Sequence, residues 1–164
     1  MTLDDLLRSR DARVERQREL LMEHPGMSLL CLTVQLPGPV KRNDISLKIA
    51  NEGVKVIRET FTLEFEEQRD LETGFEAFFI VGLPPLEAKR LACTIEDTHP
   101  LGRLMDIDVI VPSEMAVQPL GREILGLPPR KCLLCGRPAR ECMRSRAHTT
   151  EELLAKIAEM VDNY

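Results

Sequence analysis

The sequence predicts an α+β fold, with a mixed sheet flanked by helices. Short runs of β-branched and aliphatic residues alternate with segments whose apolar residues recur at helical spacing, which is typical of a sheet packed against helices. The chain of 164 residues is long enough for one domain with its own core. Its composition, 43% hydrophobic and 30% charged, is that of a globular protein. We therefore predict a single domain over residues 1–164.

Capping residues and prolines set the predicted helix ends. Thr2 and Asp5 resemble a capping box at the start of the first helix, which ends near His24 because Pro25 and Gly26 follow. Apolar residues at helical intervals predict three more helices, at residues 43–59, 86–97 and 149–164, with Asn43 as the cap of the first of these and Thr149 or Thr150 as the cap of the last. The last of these is a C-terminal helix, and it follows a Cys/Arg-rich loop at residues 127–148.

Five segments rich in β-branched, aliphatic or aromatic residues are predicted to be strands, at residues 28–36, 61–67, 74–83, 106–111 and 122–125. The second and third segments are expected to form a hairpin across residues 68–73. The short fifth segment is expected to pair with the fourth after an irregular connection.

Nothing in the sequence indicates a membrane protein. No window approaches the ~18 uncharged apolar residues that a membrane span needs, and the N-terminal segment is charged throughout. We therefore expect a cytoplasmic location and no membrane partner. In that compartment, the five cysteines are more naturally thiols or metal ligands than disulfides.

Basic residues are concentrated in one part of a chain whose net charge is −5. Residues 122–146 contain seven basic side chains and only two acidic ones. Such a local surface suits phosphates or an acidic partner, and solvated charge on loops is the alternative. The overall negative charge argues against nucleic acid, and the single tyrosine, Tyr164, offers no stacking platform.

Two aspartates interrupt the apolar run of the fourth predicted strand. Asp106 and Asp108 are two residues apart, so their side chains share one face of the strand while the residues between them face the core. Two neighbouring carboxylates repel each other, and a hard divalent cation such as Mg²⁺ removes that repulsion. Just upstream, Gly102 permits close approach of the backbone to a ligand and Arg103 can fork onto a phosphate. Together they indicate metal-dependent phosphoryl or nucleotidyl transfer, and a solvated edge strand is the alternative.

Several motifs together resemble one known family. They are HPLGRLMDIDV (99–109), LPPRKCLLC (127–135), SRDARVERQ (9–17), PGPVK (37–41), and the later residues Cys142, Arg144 and His148. Their joint spacing, over nearly the whole chain, closely resembles the apo-citrate lyase phosphoribosyl-dephospho-CoA transferases, also called holo-citrate lyase acyl carrier protein synthases.

The resemblance implies a reaction and its partners. A member of this family would transfer the 2′-(5″-triphosphoribosyl)-3′-dephospho-CoA group to a serine of the citrate lyase acyl carrier protein, the γ subunit, and release diphosphate. Asp106 and Asp108 would then hold Mg²⁺ against the triphosphate. The candidate phosphate ligands are Gly102, Arg103, Lys41 and Arg130.

The wider polymerase-β-like nucleotidyltransferases offer a candidate core for this fold, but the match is incomplete. They place Gly-Ser before the paired aspartates and add a third carboxylate from a later strand, whereas this chain has Gly-Arg. Glu123, on the predicted strand 122–125, is our candidate for a third metal ligand, ahead of Glu114. His99 is the candidate acceptor of the serine proton, because imidazole titrates near neutral pH. A capping or loop role is the alternative for His99.

Four further residues have the spacing of a metal site. Cys132, Cys135, Cys142 and His148 form a C-x₂-C-x₆-C-x₅-H pattern, which could close a tetrahedral zinc site within the Cys/Arg-rich loop. Partly buried or reactive thiols are the alternative reading of these cysteines.

Two other function classes share some of these features. A metal-dependent phosphohydrolase would use the aspartate pair without needing a basic surface for a carrier protein. A zinc-stabilised protein-interaction module would use the cysteine pattern and leave the aspartate pair incidental.

Overall fold

The computed structural model describes residues 2–112 and 117–164. Its helices are α1 (Leu3–Glu23), α2 (Asp44–Thr60), α3 (Pro85–Thr98), α4 (Ala139–Ser145) and α5 (Thr150–Asp162). Its strands are β1 (Ser28–Val34), β2 (Leu63–Leu71), β3 (Gly74–Val81), β4 (Met105–Pro112) and β5 (Val117–Pro119). Two 3₁₀ turns occupy Gly102–Leu104 and Arg122–Leu125. None of the described helices is both long and apolar enough to cross a membrane.

The four helices predicted from the sequence are confirmed, with ends that match their capping residues. Thr2, Asn43 and Thr149 each accept a hydrogen bond from the backbone N–H three residues later, and each capping box is closed by a return hydrogen bond. The short helix α4, inside the Cys/Arg-rich loop, was not predicted. Its seven residues bury only Cys142, so it lacks the apolar periodicity on which such predictions depend.

The α+β class is confirmed, but every pairing between the described strands is antiparallel, where a mixed sheet was predicted. The strand order is β2-β3-β1-β4-β5. Helix α3 connects β3 to β4, and these two strands run in the same direction. Because β1 lies between them and pairs with both, no parallel hydrogen-bonded pair forms.

Two of the predicted strand features need correction. The β2–β3 hairpin is confirmed, but β2 continues to Leu71 and pairs with Gly74, which leaves a connection of only two residues. Gly74 takes φ +120°, which glycine adopts readily. Residues 122–125 form a 3₁₀ turn rather than a strand, and the short segment β5 pairs with β4 instead. The turn forms because Arg122 is drawn to Glu96 and Asp97 of α3 by hydrogen bonds of 2.7–3.3 Å.

Helices cover both faces of the sheet, with a separate core on each. The larger core contains apolar residues of the sheet, α2, α3 and α5, including Leu32, Phe79 and Ile107. On the opposite face, Leu20 of α1 packs in a smaller cluster of residues from β1, β3 and β4. The direction in which a β4 side chain points therefore decides which helical layer it meets.

Candidate functional site

Asp106 and Asp108 lie on the face of β4 that points toward α1. Asp106 stands opposite Thr33 in the pairing of β4 with β1. Asp108 stands opposite Cys31, which belongs to the smaller core, and directly opposed residues in an antiparallel pair share a face. Ile107, between the aspartates, is fully buried in the larger core. The two aspartates and the residue between them therefore point to opposite faces of the sheet, as the sequence predicts.

The two carboxylates have different surroundings. The side chain of Asp106 is 35% exposed, whereas Asp108 is set deeper. Burial first, and then the negative charge of Asp106, raise the pKa of Asp108 to about 6. The positive charges of Lys89 and Arg13 offset this rise only in part. A further cation bound to the pair would relieve the remaining repulsion.

Glu96 of α3 holds the edge of β4 beside the aspartates. It is 5% exposed, and its Oε1 accepts a hydrogen bond of 2.9 Å from the backbone N–H of Ile107. Its Oε2 accepts a bond of 2.9 Å from Arg122. Because β5 pairs with β4 only at residues 110–112, Glu96 covers a stretch of strand edge that pairs with no other strand in the described part of the chain.

Arg130, a predicted phosphate ligand, is already engaged with protein groups. Its Nη2 donates to three carbonyl oxygens within residues 102–105, at 2.9–3.2 Å. Its Nη1 lies 3.7 Å from Oδ1 of Asp106 and 3.9 Å from Oε1 of Glu96. Arg130 therefore fixes the Cys/Arg-rich loop to the start of β4 and balances part of the charge on Asp106.

A cavity of about 230 Å³ lies between α1 and the C-terminal end of β1. Its basic lining residues are Arg10, Arg13 and Lys41. Thr33 lines the same cavity and stands opposite Asp106, so the cavity opens beside the aspartate-bearing face. Lys41 was a predicted phosphate ligand, whereas the two arginines of α1 were not singled out individually.

A larger groove of about 850 Å³ adjoins this cavity, because Gln35, Leu36 and Lys41 line both. The Cys/Arg-rich loop, α5 and Arg103 form its other walls. Nζ of Lys41 donates to the carbonyl oxygen of Leu36 at 2.6 Å, and burial lowers the pKa of its ammonium group. Nε of Arg103 donates to the carbonyl oxygen of Lys131 at 2.7 Å. The structure thus brings two of the predicted phosphate ligands to one pair of adjoining openings.

Gly102 has a packing role that the sequence analysis did not foresee. A Cβ at this position would collide with the carbonyl oxygen of Ile95 and lie 2.7 Å from that of Glu96. Its N–H already donates to the carbonyl oxygen of His99 at 2.8 Å. Glycine at this position permits close approach to helix α3, whereas the sequence analysis predicted close approach to a ligand.

The structure does not bring His99 to the aspartates. It caps the C-terminal end of α3, and its Nδ1 accepts a hydrogen bond of 3.1 Å from the N–H of Leu101. Its ring centroid lies 5.6 Å from that of Tyr164. Burial lowers the pKa of His99, and the charges that modify this effect belong to α2. The neighbours of His99 therefore come from α2 and the C-terminal Tyr164, and its role as proton acceptor stays a prediction.

The predicted third metal ligand does not lie on a strand, and its role stays a prediction. Glu123 lies on the 3₁₀ turn that replaces the predicted strand, it is exposed, and its carboxylate folds back over Gly121. The other candidate, Glu114, lies outside the described residues. The acidic residue that does reach the strand is Glu96, through its hydrogen bond to β4.

The Cys/His cluster predicted from its spacing is present. The ligand atoms of Cys132, Cys135, Cys142 and His148 all lie within 4.8 Å of one another, so the group could hold a metal ion. The Sγ atoms of Cys135 and Cys142 are 3.4 Å apart. The backbone N–H of Arg137 lowers the pKa of Cys135 to about 6, while burial raises that of Cys142 to about 11.

Taken together, the fold and the site define an α+β protein with paired strand carboxylates beside a basic cavity, and with a separate Cys/His cluster. The family model of apo-citrate lyase phosphoribosyl-dephospho-CoA transferase matches residues 1–164. The chain belongs to this family, as its sequence motifs predicted, and the family name is that of a transferase.

Curated relatives agree with this assignment. A probable apo-citrate lyase phosphoribosyl-dephospho-CoA transferase of Vibrio cholerae serotype O1 (strain M66-2) is 41% identical over 170 residues, covering 100% of this chain and 93% of the relative. A protein of the same description from Streptococcus pyogenes serotype M18 (strain MGAS8232) is 35% identical over 165 residues, covering 99% of this chain and 86% of the relative.

Proposed function

We propose that this protein is a nucleotidyltransferase of the cytoplasm that attaches the prosthetic group of citrate lyase. It transfers the 2′-(5″-triphosphoribosyl)-3′-dephospho-CoA group to a serine of the citrate lyase acyl carrier protein. The observation that carries this proposal is the family match over the whole chain. The aspartate pair beside a basic cavity gives it chemical support, because the donor brings a triphosphate.

The reaction exchanges a phosphoanhydride bond of the donor for a phosphoester bond to the carrier. A bond forms between the serine Oγ and the α-phosphorus of the triphosphate, and the bond from that phosphorus to the leaving diphosphate breaks. The serine hydroxyl loses its proton to solvent water, and diphosphate leaves with the electron pair of the broken bond. The product is a phosphodiester between the carrier and the prosthetic group.

The aspartate pair suits Mg²⁺. Asp106 and Asp108 offer hard carboxylate oxygens on one face of a rigid strand, and burial, together with the charge of Asp106, raises the pKa of Asp108, so that a bound cation would favour its ionised form. When bound, Mg²⁺ would neutralise the charge that develops on phosphate oxygens during the transfer. The strand itself holds the two carboxylates in place through its pairing with β1.

The basic side chains have separate tasks in this proposal. Arg10, Arg13 and Lys41 bind the triphosphate in the cavity of about 230 Å³ and orient it toward the aspartate-bearing face. Arg103 lines the adjoining groove, which has the space for the dephospho-CoA part of the donor. The arrangement would place the negative and the extended parts of one substrate in two connected openings.

The exposed basic residues of the Cys/Arg-rich loop suit the carrier protein. Arg122 and Arg130 are committed to ion pairs with acidic residues of the site, but the other basic residues of this segment are exposed, namely Lys131, Arg137, Arg140, Arg144 and Arg146. A cluster of charged side chains of one sign accelerates association with a partner of opposite charge. We infer that an acidic face of the carrier docks on this surface.

The decisive experiment is mass spectrometry of the apo carrier protein after incubation with this protein, Mg²⁺ and the triphosphoribosyl donor. We expect the carrier to gain the mass of the prosthetic group, and Asp106→Ala and Asp108→Ala to abolish the gain. Asp162→Ala, an exposed aspartate at the end of α5, is the matched control and should remain active. An unmodified carrier with folded protein would refute the proposal, and phosphate release without any carrier would favour a phosphohydrolase.

A further inference from the structure

We propose that Cys132, Cys135, Cys142 and His148 bind one zinc ion that holds the Cys/Arg-rich loop in its folded conformation. The role is structural and separate from the proposed transfer chemistry, which uses the aspartate pair.

The donor set suits zinc. Three thiols and one imidazole are the ligands of a closed, four-coordinate zinc site. In such a site a Zn–S bond of about 2.3 Å places the sulfur atoms roughly 4 Å apart. The four ligand atoms lie within 4.8 Å of one another, and the Cys135 and Cys142 sulfurs are 3.4 Å apart. The cluster therefore has the dimensions of a four-coordinate zinc site.

The backbone around the first two cysteines is already shaped to present their sulfurs. The N–H of Cys132 donates to the carbonyl oxygen of Arg137 at 2.8 Å, and Lys131 forms an antiparallel bridge with Pro138. Within this tight hairpin, the N–H of Leu134 points at Sγ of Cys132, 3.5 Å away. An N–H directed at sulfur favours the thiolate, which is the form that binds metal.

The fourth ligand has a nitrogen that the described protein groups leave unsatisfied. Nε2 of His148 is buried and has no hydrogen-bond partner within residues 2–112 and 117–164. A buried polar atom without a partner is costly and calls for an explanation. Coordination to a metal ion held by the three cysteines would satisfy this nitrogen.

The loop also needs a cross-link, because it has almost no core of its own. Between residues 121 and 150, only Cys142 is buried. The same segment nevertheless supplies Arg130, which binds carbonyl oxygens of residues 102–105. It also supplies the carbonyl oxygen of Lys131, which holds Arg103. A zinc ion would give this poorly packed segment the rigidity that these contacts require.

The first test is the metal content of the full chain, purified under reducing conditions in metal-free buffer. We expect about one zinc per chain, and its loss in Cys132→Ser and His148→Ala. Cys93→Ser is the control, because Cys93 is a buried cysteine of α3 outside the cluster, and it should keep the zinc. Folded variants that retain stoichiometric zinc would overturn the assignment of these ligands.

Cobalt substitution of the wild-type chain gives a test that does not depend on variants that fold. Co²⁺ in this site should show the intense visible bands of a tetrahedral ion and the charge-transfer bands of thiolate ligands. Reduced, folded protein that holds neither zinc nor tetrahedral cobalt would overturn the proposal. Both measurements are independent of transfer activity, so they stand whether or not the proposed reaction is confirmed.

Discussion

The ionised carboxylate of Asp108 is less stable in the folded protein than it would be in water, because of its immediate surroundings. Its carboxylate is partly removed from solvent and lies beside a second carboxylate, and both effects favour its protonated form. A folded pKa of about 6, above the unfolded value, means that the folded state holds a proton that the unfolded state has lost between about pH 4 and 6. Stability therefore falls as the pH rises through this window.

Asp108→Asn should consequently stabilise the metal-free protein while abolishing transfer. We expect the free energy of unfolding to rise by roughly 3 kcal/mol near neutral pH, since the pKa shift is about two units and each unit is worth about 1.4 kcal/mol, and to change little near pH 4. Urea unfolding at several pH values measures this. Mg²⁺ should raise the melting temperature of the wild type but not of the variant. A variant less stable than the wild type at neutral pH would contradict this account.

Arg10 and Arg8 offer a matched pair on one helix. Arg10 lines the basic cavity, whereas Arg8 is 77% exposed and pairs with Asp4. We expect Arg10→Ala to raise the KM for the triphosphoribosyl donor about tenfold, because a charge-assisted hydrogen bond is worth roughly 1.5 kcal/mol, with little change in melting temperature. Arg8→Ala should leave the KM unchanged. Equal kinetics in the two variants would remove the cavity from the proposed binding site.

At the scale of elements, the contact between α3 and β4 depends on one buried carboxylate. Glu96 accepts hydrogen bonds from the backbone of β4 and from Arg122, and Arg130 lies nearby. No pattern in the sequence marks Glu96, because it lies within an ordinary helical segment. Its partners come from three parts of the chain, and only the folded arrangement brings them together.

Glu96→Gln should therefore be strongly destabilising. The amide can keep the bond to β4, but it leaves the Arg122 guanidinium without its most buried countercharge. We expect a loss of about 3 kcal/mol, which is typical when one partner of a buried ion pair is removed. Glu123→Gln, on the exposed turn, should cost less than about 0.5 kcal/mol. Chemical unfolding of both variants measures the difference, and equal losses would show that Glu96 does not hold the strand edge.

The features that the sequence predicted correctly depend on interactions between residues that are close together in the chain. Helix starts follow from local capping, so the predicted caps Thr2 and Asn43 are confirmed, and of the two candidates for the last helix Thr149 is the cap. The common face of Asp106 and Asp108 follows from the two-residue period of a strand. Which helix covers that face depends on tertiary packing between distant segments. The position of His99 relative to the aspartates could therefore not be predicted from the sequence. The spacing of the cysteines sufficed for their cluster because all its members lie within one short loop.

At the scale of the molecule, the charge is divided between an acidic body and the basic Cys/Arg-rich loop. This division predicts how the carrier protein is recognised. We expect the Arg140→Glu/Arg144→Glu double variant to raise the KM for the carrier at low salt, while the KM for the donor stays unchanged. The effect should shrink as salt is added, because exposed charges are screened within about 10 Å at 0.1 M.

The matched control for this prediction is Arg18→Glu/Lys55→Glu. It makes the same change in net charge on α1 and α2, where both side chains are well exposed. Steady-state kinetics with the carrier as varied substrate should separate the two variants. If both raise the KM equally, overall charge rather than the loop surface governs docking.

The central position of β1 has a consequence for the way the chain is made. This strand is synthesised before both of its neighbours in the sheet, which come from much later parts of the chain. Until β3 and β4 have been synthesised, the apolar segment SLLCLTV has two unpaired edges. Such a delay favours aggregation over folding when synthesis is fast and many unfolded chains are present at once. The yield of folded protein should therefore improve at low expression temperature, because the segment meets fewer unfolded copies of itself before its partners arrive.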